Sequence, residues 1–137
     1  MSFRRTQQTR GVDKICFNFR TNGTSAPDRI RDGGLNQVES VTRAAAGRYT
    51  VKLRQPYPLQ VIDLCAELHE AQGYVTRLRK ARIVRDSYDK AAGTFTVEVV
   101  GLADTAGATN AAVEDPASGD VICIRGEFLM LSTRVQS

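Results

Sequence analysis

The chain has 137 residues and a mass of 15.0 kDa, with 42% hydrophobic and 25% charged residues and a formal net charge of +4. That is one ordinary globular domain, large enough to bury about two thirds of its unfolded surface without staples. No run approaches the roughly 18 apolar residues of a membrane span, and the opening Met-Ser-Phe-Arg-Arg-Thr lacks the apolar core of a secretion signal, so a protein made in a cytoplasm with no membrane partner is expected.

Residues 1–13 are polar and basic without periodicity and read as an N-terminal arm carrying Arg4, Arg5 and Arg10; residues 14–137 read as the single folded domain. Lys14–Arg20 is the first predicted strand, with Ile15, Phe17 and Phe19 on one face and Cys16 and Asn18 on the other. Thr21–Asn36 holds three glycines, a proline and several turn formers. It is predicted to be a long loop in which Arg29, Ile30 and Arg31 form a contact point.

Val38–Thr42 and Gly47–Arg54 predict a hairpin. In the second arm Tyr49, Val51 and Leu53 alternate with Arg48, Thr50, Lys52 and Arg54, which gives one wall of a sheet with a wet outer face. Pro56 and Pro58 then interrupt any ladder. Residues 59–72 fit a strand, with Ile62, Leu64, Ala66 and Leu68 on one side, or a helix ending at Gly73; the strand is favoured because the surroundings are β.

Tyr74–Tyr88 is long and mixed in parity, so it must bend, bulge or split before a loop of about five residues leads into Thr94–Leu102. There Phe95, Val97 and Val99 mark an inward face. Ala103–Ser118 is small and polar, a second long loop. Asp120–Arg134 follows as two strands or one bent at Gly126, with Ile122, Ile124, Phe128 and Met130 in phase. Seven to nine strands with long connections predict an all-β, two-sheet antiparallel β-sandwich of jelly-roll or Greek-key type with an extended N-terminal arm.

Chemistry is sparse. There is no glycine-rich phosphate loop, no GxSxG and no HExxH, and one histidine, His69, offers no catalytic triad. No enzyme activity, cofactor or metal site is expected. The acidic Asp63, Glu67 and Glu70 read as a wet face. Cys16, Cys65 and Cys123 lie far apart with no CxxC and read as buried free thiols. Fifteen of the nineteen basic residues are arginine, which suits forked pairing to carboxylates. The basic run at Arg77, Arg79, Lys80, Arg82 and Arg85 is poor in aromatics, so nucleic acid is disfavoured as a partner.

The phrases Asn22-Gly-Thr-Ser-Ala-Pro27, Val38-Glu-Ser-Val-Thr-Arg43, Gly47-Arg-Tyr-Thr-Val-Lys-Leu53, Gly93-Thr-Phe-Thr-Val-Glu-Val-Val-Gly-Leu-Ala-Asp-Thr105 and Gly119-Asp-Val-Ile-Cys-Ile-Arg-Gly-Glu-Phe-Leu129 cover about a third of the chain. In them the sequence resembles small all-β virion proteins of tailed bacteriophages, the capsid decoration or cement proteins, which often have a jelly-roll fold. The resemblance implies a structural protein on the capsid exterior, with the major capsid protein as partner and self-association into a dimer first or a trimer second. It carries no active-site residues. The alternative is a jelly-roll receptor- or carbohydrate-binding module of a phage fibre or baseplate, for which the chain, with no Trp and four Tyr, is poor in sugar-stacking rings.

Overall fold

The structure is a computed structural model that describes residues 12–55, 61–71, 78–102 and 111–129. Among them nine strands form two antiparallel sheets: β1 (Val12–Asn22), β2 (Ser25–Arg31), β3 (Val38–Ala45), β4 (Arg48–Leu53), β5 (Val61–His69), β6 (Arg79–Ile83), β7 (Thr94–Gly101), β8 (Ala112–Val113) and β9 (Val121–Leu129). One sheet has the order β2-β1-β9-β5 and the other β3-β4-β7-β6, with β8 pairing β7 beyond the end of β4. No described helix is long and apolar enough to cross a membrane.

The alternation read in the sequence is what brings the sheets together. Ile15, Phe17 and Phe19 of β1 and Ile122, Ile124 and Phe128 of β9 meet Tyr49, Val51 and Leu53 of β4 and Phe95, Val97 and Val99 of β7 in one buried cluster. The Phe19 and Tyr49 rings, one from each sheet, are tilted against each other at 5.6 Å between centroids, a favourable aromatic arrangement. The result is an all-β, sandwich-like pair of sheets. β5 is a strand, as favoured, with Leu64, Ala66 and Leu68 packed on the core; a bulge between Val61 and Asp63 throws Ile62 outward.

Several expectations need correction. Thr21–Asn36 is not one long loop: Ser25–Arg31 is an edge strand that pairs with β1 through two register shifts. An edge strand needs only one hydrogen-bonded side, so it accommodates Pro27, and its bulges erase the two-residue period that would have announced it. β1 starts at Val12, inside the stretch read as an arm, and residues 1–11 lie outside the described residues. Among the described residues of the Tyr74–Tyr88 arm, Arg79–Ile83 lie in the ladder; the chain then runs irregularly through Asp86, at φ 57°, and closes again at an Asp89–Thr94 bridge. The Ala103–Ser118 loop contributes the short β8.

Gly126 does not bend β9. It lies where a Cβ would come within 2.7 Å of Leu64 Cδ1 and 3.3 Å of Ile15 Cγ1, so its lack of a side chain lets the flanking strands press in. Met130 lies outside the described residues.

Polar anchors fix the ends of the sheets. Asp120 is buried and accepts hydrogen bonds from the Ala71 and Ala117 backbone N–H groups at 2.9 and 3.1 Å, while the Thr21 hydroxyl donates to the Asp120 carbonyl at 2.9 Å. Arg43 forks onto Asp115 at 2.7 and 3.0 Å, and the Gly47 N–H donates to the same carboxylate at 2.8 Å. Arg43 first, then burial and Gly47, set the balance that holds the Asp115 carboxyl below its usual range.

Tyr49 is the exception. Its ring is fully buried and its hydroxyl finds no partner among the described residues; burial pushes its pKa up to about 12. A buried donor without a partner is unfavourable by about 1–3 kcal/mol. Tyr49→Phe is therefore expected to leave stability unchanged or raise it by up to ~1 kcal/mol in urea unfolding. A loss above ~1 kcal/mol would show that the hydroxyl is bonded.

Candidate interaction surface

The residues singled out in the sequence divide in two. Arg4, Arg5 and Arg10 lie outside the described residues. Arg29, Ile30 and Arg31 are all exposed and sit together on β2, the edge of the four-stranded sheet. Arg29 has a positive φ of 52°, a local irregularity that breaks the flat edge and protects it against unselective strand addition. Asp28, next to it, is fixed by the Arg20 fork at 2.8 and 3.0 Å, and that hydrogen bond holds its carboxyl below the usual range. Arg29 and Arg31 make no ion pair among the described residues. Ile30, 39% exposed, stands between these two cations.

The register of the sheet gathers a second group that the sequence reading missed. On the outer face of β2-β1-β9-β5, Arg31, Asn18, Cys123 and Glu67 lie in one cross-strand row; Cys16, Arg125 and Cys65 lie in the next; Lys14, Glu127 and Asp63 follow. All three cysteines are thus on one outer face, Cys16 exposed and Cys65 and Cys123 partly so, which corrects their reading as buried thiols. Strand alternation required this, because each is in antiphase to the core residues beside it: Cys16 to Ile15 and Phe17, Cys65 to Leu64 and Ala66, Cys123 to Ile122 and Ile124.

The thiols are free. Cys16 and Cys65 are separated by the whole width of β9, about twice the 4.8 Å strand spacing, beyond the reach of a disulfide. The Arg125 guanidinium is raised above its usual value chiefly by a hydrogen bond to the Cys65 sulfur. Burial, and then the charge of Glu67, push the Cys123 thiol up, which keeps it protonated. Among the described residues no group of three or more His, Cys, Asp or Glu side chains is placed to hold a metal ion. A shallow trough of about 580 Å³ runs over this face between Arg31 and Leu35 on one side and Glu67 and His69 on the other. His69 is paired with Glu67 at 3.0 Å.

The opposite outer face is of another kind. Glu98 of β7 is buried between Arg82 at 2.6 Å and Arg48 at 2.9 Å, and these two hydrogen bonds, Arg82 first, hold its carboxyl below the usual range. Lys52 pairs with Glu39 at 3.4 Å.

A cleft of about 650 Å³ also opens between the edges β5 and β6, lined by Val61, Leu64, Ile83 and Tyr88 with Arg85 and Lys90 at its rim. Tyr88 rests on Phe128 at 5.2 Å. Compared with protein-family models, with curated proteins and with solved structures, the chain gives no match.

Proposed function

We propose that this protein is a structural virion protein of a tailed bacteriophage, a cement or decoration protein of jelly-roll type that binds the capsid exterior through the major capsid protein and through copies of itself. The observation that carries the reading is the β2 edge: two guanidiniums without ion pairs among the described residues and an exposed isoleucine presented on a double sheet. The resemblance of the strand phrases to such proteins supplies the class. Arg29 and Ile30, with Arg4, Arg5 and Arg10 of the N-terminal segment, form the shell contact; Arg31 lies at its margin, in register with the outer face. Arginine forks suit bidentate pairing with carboxylates. Single exposed pairs contribute only about 0–1 kcal/mol, so several arginines and several copies are needed for a firm hold.

The test is binding to cement-free shells across a salt series. Deletion of residues 2–11 combined with Arg29→Ala is expected to weaken binding at least tenfold at low salt and to flatten its salt dependence. Unchanged affinity and unchanged salt dependence would overturn the assignment of these residues. No binding of the intact protein to shells would overturn the function.

A further inference from the structure

Cysteine is among the residues most often buried, and charged or threonine side chains usually cover an open sheet face. Here every cysteine of the chain lies on one outer face, around an exposed arginine. The face sets Cys16, Cys65 and Cys123 around a central Arg125, with further charged side chains on either side.

The charges of the face are polarised across the strands. The β1–β2 half carries Lys14, Arg20 and Arg31 against Asp28, with Asp32 just past the end of β2. The β9–β5 half carries Asp63, Glu67 and Glu127 against one guanidinium, Arg125. A net positive half beside a net negative half is a self-complementary surface.

We infer that this face docks on the same face of a second copy, about a two-fold axis lying in the interface parallel to the strands. That axis places β2 of one copy over β5 of the other and β1 over β9. The alternative axis, across the strands, sets like charges against like and is disfavoured. With the strand-parallel axis, cross-strand rows stay in register. Arg31 then meets the second copy's Glu67, because both occupy the row that runs through Asn18 and Cys123. Lys14, which lies 3.9 Å from Glu127 of its own chain, likewise comes opposite the second copy's Glu127, one row beyond the Cys16–Arg125–Cys65 row. Each contact occurs twice by symmetry. At the centre Cys16 falls opposite the second copy's Arg125, with the two sheets stacked at about 10 Å. The inference rests on the self-association in the proposed function and names its surface; the Arg29–Ile30 edge is left to the shell.

The experiment is sedimentation velocity of the full chain over a concentration range, with charge-swapped variants. Arg31→Glu and Glu67→Arg are each expected to weaken the dimer about tenfold or more, since each creates two like-charge contacts. The double variant restores both pairs with reversed sign, and its dimer affinity is expected to return to within about threefold of the parent. Both side chains are exposed, and matched circular dichroism spectra confirm that the variants fold. As an independent reading, alkylation of Cys16 is expected to slow as the protein concentration passes through the dimer range.

A dimer indifferent to both single swaps overturns this face while leaving self-association intact. A trimer does the same, because a two-fold contact cannot close a ring of three. A strict monomer at high micromolar concentration overturns the inference and the solution self-association together. Shell binding, measured separately, then decides the capsid reading.

Discussion

Phe95→Ala is expected to lower the stability of the protein by about 3–5 kcal/mol in urea unfolding, the loss typical of a deeply buried phenylalanine. Phe95 is 1% exposed and lies near the start of β7, opposite Val51 of β4. Its ring is part of the cluster that both sheets share, so truncation opens a cavity that neither sheet can close alone. A loss below ~1 kcal/mol would be a surface-like response and would mean that the sheets do not pack as described.

Gly47→Ala is expected to be nearly as damaging, about 2–5 kcal/mol in the same assay, for two separate reasons. Gly47 has a φ of 70°, where an L side chain is strained by about 1–2 kcal/mol. A Cβ there would also come within 2.5 Å of the Glu114 carbonyl oxygen and 2.8 Å of its backbone nitrogen, and backbone has little room to give. The Gly47 N–H is tied to Asp115, which also receives Arg43, so displacement disturbs the fork as well. An alanine variant as stable as the parent would show that the Gly47–Glu114 approach is looser than described.

Where the hydrophobic face was regular, the sequence could be read directly. β1, β4, β7 and β9 obey the two-residue period because one side of each is the shared core, and their inward residues are those expected. The hairpin of β3 and β4 was legible too, although its turn is Ala46-Gly47, with Ala44 and Ala45 inside β3. The edges were not legible. β2 needs no apolar alternation, since its outward side and one backbone edge meet no partner strand, and Pro27 and two bulges disguise it further. β8 is two residues long and exists only because β7 outruns β4.

The thiol face shows a different failure. Its signal was present: Cys16 had been placed on the face opposite Phe17, and Cys65 opposite Leu64. Cysteine's general preference for interiors overrode the local parity, and the structure follows the parity. The assembly of Cys16, Cys65, Cys123, Arg125 and Glu67 into adjoining rows depends on β9 lying between β1 and β5. That long-range pairing brings together strands separated by most of the chain, and no local pattern encodes it.

We propose that the double sheet presents the β2 edge to a capsid shell. Backbone hydrogen exchange of the protein, free and bound to cement-free shells, tests it most directly. The predicted result is binding accompanied by slowed exchange along Ser25–Arg31, with the β5–β6 cleft around Ile83 and Tyr88 unchanged. Slowed exchange at that cleft with β2 unaffected, or no binding at all, would contradict it.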